Sequence, residues 1–166
     1  MVSKWNYSPL TAEEQQLEMA LAEKFANCPP ISELLVQRGI SSVEEAHKFF
    51  HPSLKDMHDP FLMPEMDKAV NRLNKAMGSK EKLLIFGDYD VDGTTAVALV
   101  YKYLRIFYSH IDFYIPTRDD EGYGISKRVI DEAAENGVKL IIILDCGIKA
   151  IEEIKYAKTL GIDFII

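Results

Sequence analysis

Cysteine is scarce in this chain: two of 166 residues, Cys28 and Cys146, far apart and in unlike surroundings. A disulfide framework needs several cysteines at close spacing, so both are read as free thiols of a reducing compartment. No apolar run reaches the roughly 18 residues needed to cross a bilayer, and the opening MVSKWNYSPL lacks the apolar core of a signal peptide. The expected location is therefore cytoplasmic, with no membrane partner. Histidine is also sparse. His47, His51, His58 and His110 show no metal-ligand spacing and are read as ordinary surface or packing residues. There is no internal repeat and no low-complexity tract. Positive charge is in deficit, with 19 Lys and Arg against 26 Asp and Glu and a formal charge of −7. That excludes a protein whose task is to coat nucleic acid in bulk. It leaves open a nuclease, because an enzyme that holds a phosphodiester through metal ions takes its local positive charge from the cations.

What is present is ordinary globular material, 48% apolar and 27% charged, enough for one core or a core plus a small helical lobe. The text changes character near Ser79, which predicts an N-terminal helical region over residues 1–78 and a second region over 79–166. In the first, Thr11 to Asn27 carries Leu17, Ala20, Leu21 and Phe25 at helical spacing behind a Thr-x-x-Glu capping signature, with Cys28-Pro29-Pro30 as the stop. Its glutamates form a solvated face. Further helices are predicted over Ile31 to Gln37, Ser42 to Phe50 and Pro64 to Met77. From Glu81 onward strands and helices alternate. Strands are expected at Lys82 to Phe86, Ile111 to Ile115, Leu140 to Leu144 and from Asp163, with helices at Thr94 to Tyr108, Ser126 to Glu135 and Lys149 to Leu160. Continuous Ile and Leu strands between helices of this length mean an α/β fold, a Rossmann-like parallel sheet with helices on both faces. The apolar residues of Thr94 to Tyr108 run nearly all round, as in a helix buried between the sheet and a neighbouring lobe.

The most informative stretch is Gly87 to Gly93, GDYDVDG, directly after the apolar run Leu83 to Phe86. Side chains of an extended segment alternate between faces, so Asp88, Asp90 and Asp92 can point the same way off the end of a strand. Crowded carboxylates raise one another's pKa and cost stability, so the cluster makes best sense around Mg²⁺ or Mn²⁺. Asp145, in Leu144-Asp145-Cys146-Gly147-Ile148, leaves the same sheet edge. Alone it fits an N-cap for the following helix; beside GDYDVDG it reads as a metal ligand, and two such clusters can bridge one metal or hold two. A third stretch, Ile115 to Gly124, follows a strand. By composition it is a polar loop, yet Arg118 could grip a phosphate, Gly122 and Gly124 could let backbone approach a ligand, and Tyr123 could stack on a base.

Taken in order, GDYDVDGTTA, IPTRDDEGYGIS and ILDCGI resemble the first half of the DHH phosphoesterase superfamily. The helical lead-in from Ile31 to Leu73 resembles that of the branch that degrades single-stranded DNA. The resemblance implies a DHH-type N-terminal domain with Asp90, Asp92 and Asp145 as metal ligands and Asp88 in support or in water activation. It further implies Arg118, Gly122, Tyr123 and Gly124 as a substrate-facing loop, with two Mn²⁺ or Mg²⁺ ions as cofactors. The implied activity is 5′ to 3′ hydrolysis of single-stranded DNA in repair and recombination, with single-strand-binding protein and repair helicases as partners. Phe86 stands where some members have a metal-binding histidine. The chain ends at Phe164-Ile165-Ile166, where the family turns into its Asp-His-His motif, so the expectation is a fragment that hydrolyses DNA poorly or not at all by itself. Three rivals stay open. They are a haloacid dehalogenase-type phosphatase, on Asp90-Val91-Asp92-Gly93-Thr94; an oligoribonuclease or cyclic-dinucleotide phosphodiesterase of the same superfamily; and an inactive nucleic-acid-binding scaffold.

Overall fold

Thr11 and Glu14 form a reciprocal capping box, with the Glu14 amide donating to Thr11 Oγ1 at 3.3 Å and the Thr11 amide to Glu14 Oε2 at 2.7 Å. Two of the orphan amides of helix α1 (Ala12–Lys24) are thereby satisfied. In this computed structural model, which describes residues 7–25, 28–117 and 122–166, the helix ends three residues short of Asn27. The Phe25 amide closes it on the Leu21 carbonyl, and residues 26–27 lie outside the described residues. Pro29 and Pro30 do not merely stop a helix; they open α2 (Pro29–Gln37). Proline has no amide to leave unsatisfied in a first turn, and its fixed φ suits that position. Ser42 caps α3 (Val43–Phe50) by accepting from the Glu45 amide. Leu21, Leu35, Val36 and Ala46 form the buried centre of this unit, Met1–Asp59, with Leu17, Phe25, Ile40 and Val43 around them.

Among the described residues, every strand lies in the second compact unit, Pro60–Ile166. Its order is α4 (Met66–Gly78), β1 (Lys82–Gly87), α5 (Val91–Arg105), β2 (Ile111–Tyr114), α6 (Lys127–Glu135), β3 (Val138–Leu144), α7 (Ile151–Thr159) and β4 (Asp163–Ile165). The four strands pair in parallel in the order β2-β1-β3-β4. The continuous apolar runs of β1 and β3 are explained by burial on both faces. Leu83, Ile85, Leu140 and Ile142 face a core with Val97 and Leu104 of α5 and Ala76 of α4. Leu84, Phe86, Ile141 and Ile143 face the opposite core with Val129, Ile130 and Ala133 of α6 and Ala157 of α7. Each fully buried Leu or Ile contributes about 1.5–3 kcal/mol. Helix α4 thus packs with the sheet, and the compact unit begins at Pro60, ahead of the change in sequence character at Ser79.

One expectation about α5 is corrected. Its inner residues are buried, but Leu99, Tyr103 and Ile106 are exposed, because the helix lies on one face of the sheet only. The four histidines are all exposed and both cysteines are free. Among the described residues no helix is long and apolar enough to cross a membrane.

Candidate metal centre

Strand register determines where the acids meet. Gly87, the last residue of β1, pairs with Leu144, the last of β3, so Asp88 and Asp145 leave neighbouring strands at the same level. Phe86 is paired with Tyr114 of β2 on the other side, which brings the loop after β2 to the same carboxyl edge. Crevices beyond these strand ends are where open parallel sheets bind ligands.

The three acids of GDYDVDG do not lie on one continuing strand. Extension stops at Gly87, Asp90 is the N-cap of α5, and Asp92 sits in that helix's first turn. Asp90 Oδ1 accepts from the Gly93 amide at 2.9 Å, and Thr94 Oγ1 donates to the Asp90 carbonyl at 2.7 Å. The helix therefore begins at Val91, three residues before its expected start at Thr94, because Asp90 serves as its side-chain cap. Asp88 is buried, 4% exposed, and its Oδ1 accepts from the Tyr89 amide at 2.8 Å. Asp90, Asp92 and Asp145 are exposed.

Two glycines make the close approach possible, a role that the sequence reading did not assign. A Cβ on Gly93 would meet the backbone of Asp88, with O at 2.4 Å and N at 2.6 Å. One on Gly87 would meet Val97 Cγ2 at 2.3 Å. The end of β1 and the start of α5 are thus in backbone contact. Glycines flanking the acids hint at this in the sequence, but only packing shows what they avoid. Asp145 has φ +60, in the left-handed region that Asp tolerates better than most residues, and Gly147 follows at φ +86.

Electrostatics mark the cluster as a single site. Partial loss of water and the negative charges of Asp90, Asp92 and Asp88 hold the Asp145 carboxyl above its usual value, as does a hydrogen bond with Asp90. Burial, followed by the charges of Asp88, Asp145 and Asp90, pushes the Cys146 thiol up to about 11, so it stays protonated at neutral pH in the metal-free protein. Among the described residues none of the four carboxylates forms an ion pair with Lys, Arg or His. Nor are three or more His, Cys, Asp or Glu side chains closed into a metal cage there. The acids are gathered but not locked, with Asp90 already committing one oxygen to an amide. The donor set, hard carboxylate oxygen beside a neutral thiol, suits Mg²⁺ or Mn²⁺.

The expected substrate loop follows β2 at this edge. Arg118 lies outside the described residues. Gly122 and Gly124 have φ +73 and +84 with no atom within 4 Å of an added Cβ, so conformation rather than crowding requires glycine there. Tyr123 leaves its ring exposed while its hydroxyl donates to the Asp145 carbonyl at 3.4 Å. Phe86 is fully buried and stacks on Tyr114 with centroids 6.0 Å apart, so this position serves the core.

Fold and site together define a parallel α/β protein that gathers carboxylates beyond the ends of two adjacent strands. Residues 82–166 match the DHH family, N-terminal domain, and the chain belongs to that family. It is 40% identical over 153 residues to the single-stranded-DNA-specific exonuclease RecJ of Bacillus subtilis, covering 92% of this chain and 20% of that protein. Against RecJ of Escherichia coli it is 34% identical, covering 85% of this chain and 24% of the relative. A crystal structure of RecJ in complex with Mn²⁺ from Thermus thermophilus superposes with TM-score 0.66 and 21% identity over 94% of this chain and 20% of that one. An exonuclease RecJ structure bound to manganese gives TM-score 0.54 and 29% identity over 58% of this chain and 25% of that one. The chain thus spans between a fifth and a quarter of the length of these relatives.

Proposed function

We propose that this chain carries the carboxylate half of a metal-dependent exonuclease site that acts on single-stranded DNA. The observation that carries the reading is the gathering of Asp88, Asp90, Asp92 and Asp145 at one sheet edge with no protein cation among the described residues to balance them. The named activity of the RecJ relatives and the manganese in two of their structures support it. Similarity reaching back through the helical lead-in favours this over the smaller phosphodiesterases of the superfamily.

Asp90, Asp92 and Asp145 would hold Mn²⁺ or Mg²⁺, two ions in the complete site. Such ions, when bound, acidify a water and stabilise charge on the phosphodiester. The remaining chemistry belongs to the chain itself. Asp88, held from one side by the Tyr89 amide, keeps its other oxygen, Oδ2, free to take a proton from the attacking water. Asp90 serves twice, as a ligand through one oxygen and as the anchor of α5 through the other. The loop from Arg118 to Gly124 would receive the phosphate, with Arg118 gripping it and the glycines letting backbone approach. Cleavage from the 5′ end, a role in DNA repair and recombination, delivery by single-strand-binding protein or helicases, and a cytoplasmic setting complete the proposal.

A Mn²⁺ titration followed by electron paramagnetic resonance tests the ligand assignment. Asp90→Asn and Asp145→Asn should each weaken uptake by about 100-fold or more, beyond the roughly 10- to 100-fold loss of a supporting residue. With Mn²⁺ present, a single-stranded oligonucleotide should bind in preference to its duplex. Unchanged Mn²⁺ affinity in both variants would remove the basis of the reading.

A further inference from the structure

The Tyr123 hydroxyl is directed at backbone, and this distinguishes two uses of the residue. Its phenol O–H donates to the carbonyl of Asp145, 22 residues away, while the ring stays 69% exposed. The loop reaches that point by construction. Gly122 and Gly124 flank the tyrosine in left-handed conformations, Ile125 is buried in the core beside Val129 and Ile130, and Ser126 caps α6 through the Val129 amide. Tyr123 thus sits two residues from a fixed anchor. Its acceptor belongs to an equally constrained turn, in which Asp145 and Gly147 have φ +60 and +86 and an added Cβ at Gly147 would lie 2.8 Å from Ile143 Cγ2.

From this geometry we infer that Tyr123 is a positioning residue for Asp145, tying the loop after β2 to the turn after β3 through its hydroxyl rather than offering its ring to a base. The inference rests on the metal-centre reading above, in which Asp145 is a ligand. A carboxylate on a left-handed turn is directed by that turn's backbone, so a tether on its carbonyl sets where the carboxylate points. It also links loop position to ligand position: a substrate that moves Gly122 to Gly124 moves Asp145 with it.

Tyr123→Phe removes the hydroxyl and keeps the ring; Tyr123→Ala removes both. In the metal-free protein, hydrogen exchange at residues 145–148 should quicken equally in the two variants and stay unchanged in β1. Mn²⁺ affinity should fall about 2- to 3-fold in both, the low end of the range for one hydrogen bond, since 3.4 Å is long for an O–H···O contact. Wild-type Mn²⁺ affinity in Tyr123→Phe would overturn the inference, as would a loss of single-stranded oligo-dT binding in Tyr123→Ala that Tyr123→Phe does not share. Failure of the unsubstituted protein to take up Mn²⁺ would instead overturn the functional reading and this inference with it, even if the exchange data showed the tether.

Discussion

Gly93 is where one methyl group would most disturb the candidate site. Its added Cβ would lie 2.4–2.7 Å from three backbone atoms of Asp88, and backbone cannot swing aside as a side-chain tip can. Gly93→Ala should therefore cost about 1–3 kcal/mol, as overpacking does, and should displace Asp88 and the Gly93 amide that donates to Asp90 Oδ1. Gly122→Ala meets nothing within 4 Å and bears only its left-handed backbone, a cost of about 1–2 kcal/mol. Urea unfolding of both variants with Mn²⁺ titration separates the two: Gly93→Ala should lose much metal affinity as well as stability, Gly122→Ala chiefly stability, with no more loss of affinity than Tyr123→Phe shows. At this scale the sequence was informative about residue type and silent about geometry. The acids Asp88, Asp90, Asp92 and Asp145 were legible from their place after apolar runs. That Asp90 spends an oxygen as a cap, and that Tyr123 reaches Asp145, depend on how β1, α5 and the loops approach, which spacing does not encode.

Among the elements, α4 packs on the sheet through Ala76, Leu73 and Met77 and is also tied to it by one polar side chain. Arg72 Nε donates to Asp163 Oδ2 at 2.6 Å, and Nη2 donates to Glu81 Oε2 at 2.8 Å and to the Lys139 carbonyl at 3.2 Å. One guanidinium thus joins the amino-terminal ends of β1, β3 and β4. Arg72→Met keeps much of the apolar stem and loses the fork, and should cost about 1.5–3 kcal/mol, the range for a hydrogen bond to a charged group; thermal unfolding checks it. The order and type of these elements could be read directly from the sequence, since β1 and β3 carry near-continuous Leu and Ile and two of the helices beside them, α5 and α6, are capped by Asp90 and Ser126. Boundaries moved where a local device outweighed pattern. Proline opened α2, Asp90 opened α5 early, and β3 began at Val138 rather than Leu140. The outer face of α5 misled for a different reason: Leu99 and Tyr103 look like core residues in sequence, yet among the described residues no element of the sheet unit covers them.

For the molecule as a whole, the helical unit Met1–Asp59 and the sheet unit Pro60–Ile166 each have a core of their own, and the candidate site belongs entirely to the second. All four candidate acids come from the carboxyl edge of one sheet. Net charge of −7 fits this arrangement, since a site of uncompensated carboxylates draws cations before it draws a phosphodiester. The central claim is that Asp90, Asp92 and Asp145 form one cation site at the carboxyl edge of β1 and β3. An anomalous difference map from crystals soaked in Mn²⁺ tests it most directly. The account predicts a manganese peak within bonding distance of Asp90 and Asp145, absent from crystals of Asp145→Asn; a peak bound elsewhere, or one that persists unchanged in that variant, would contradict it.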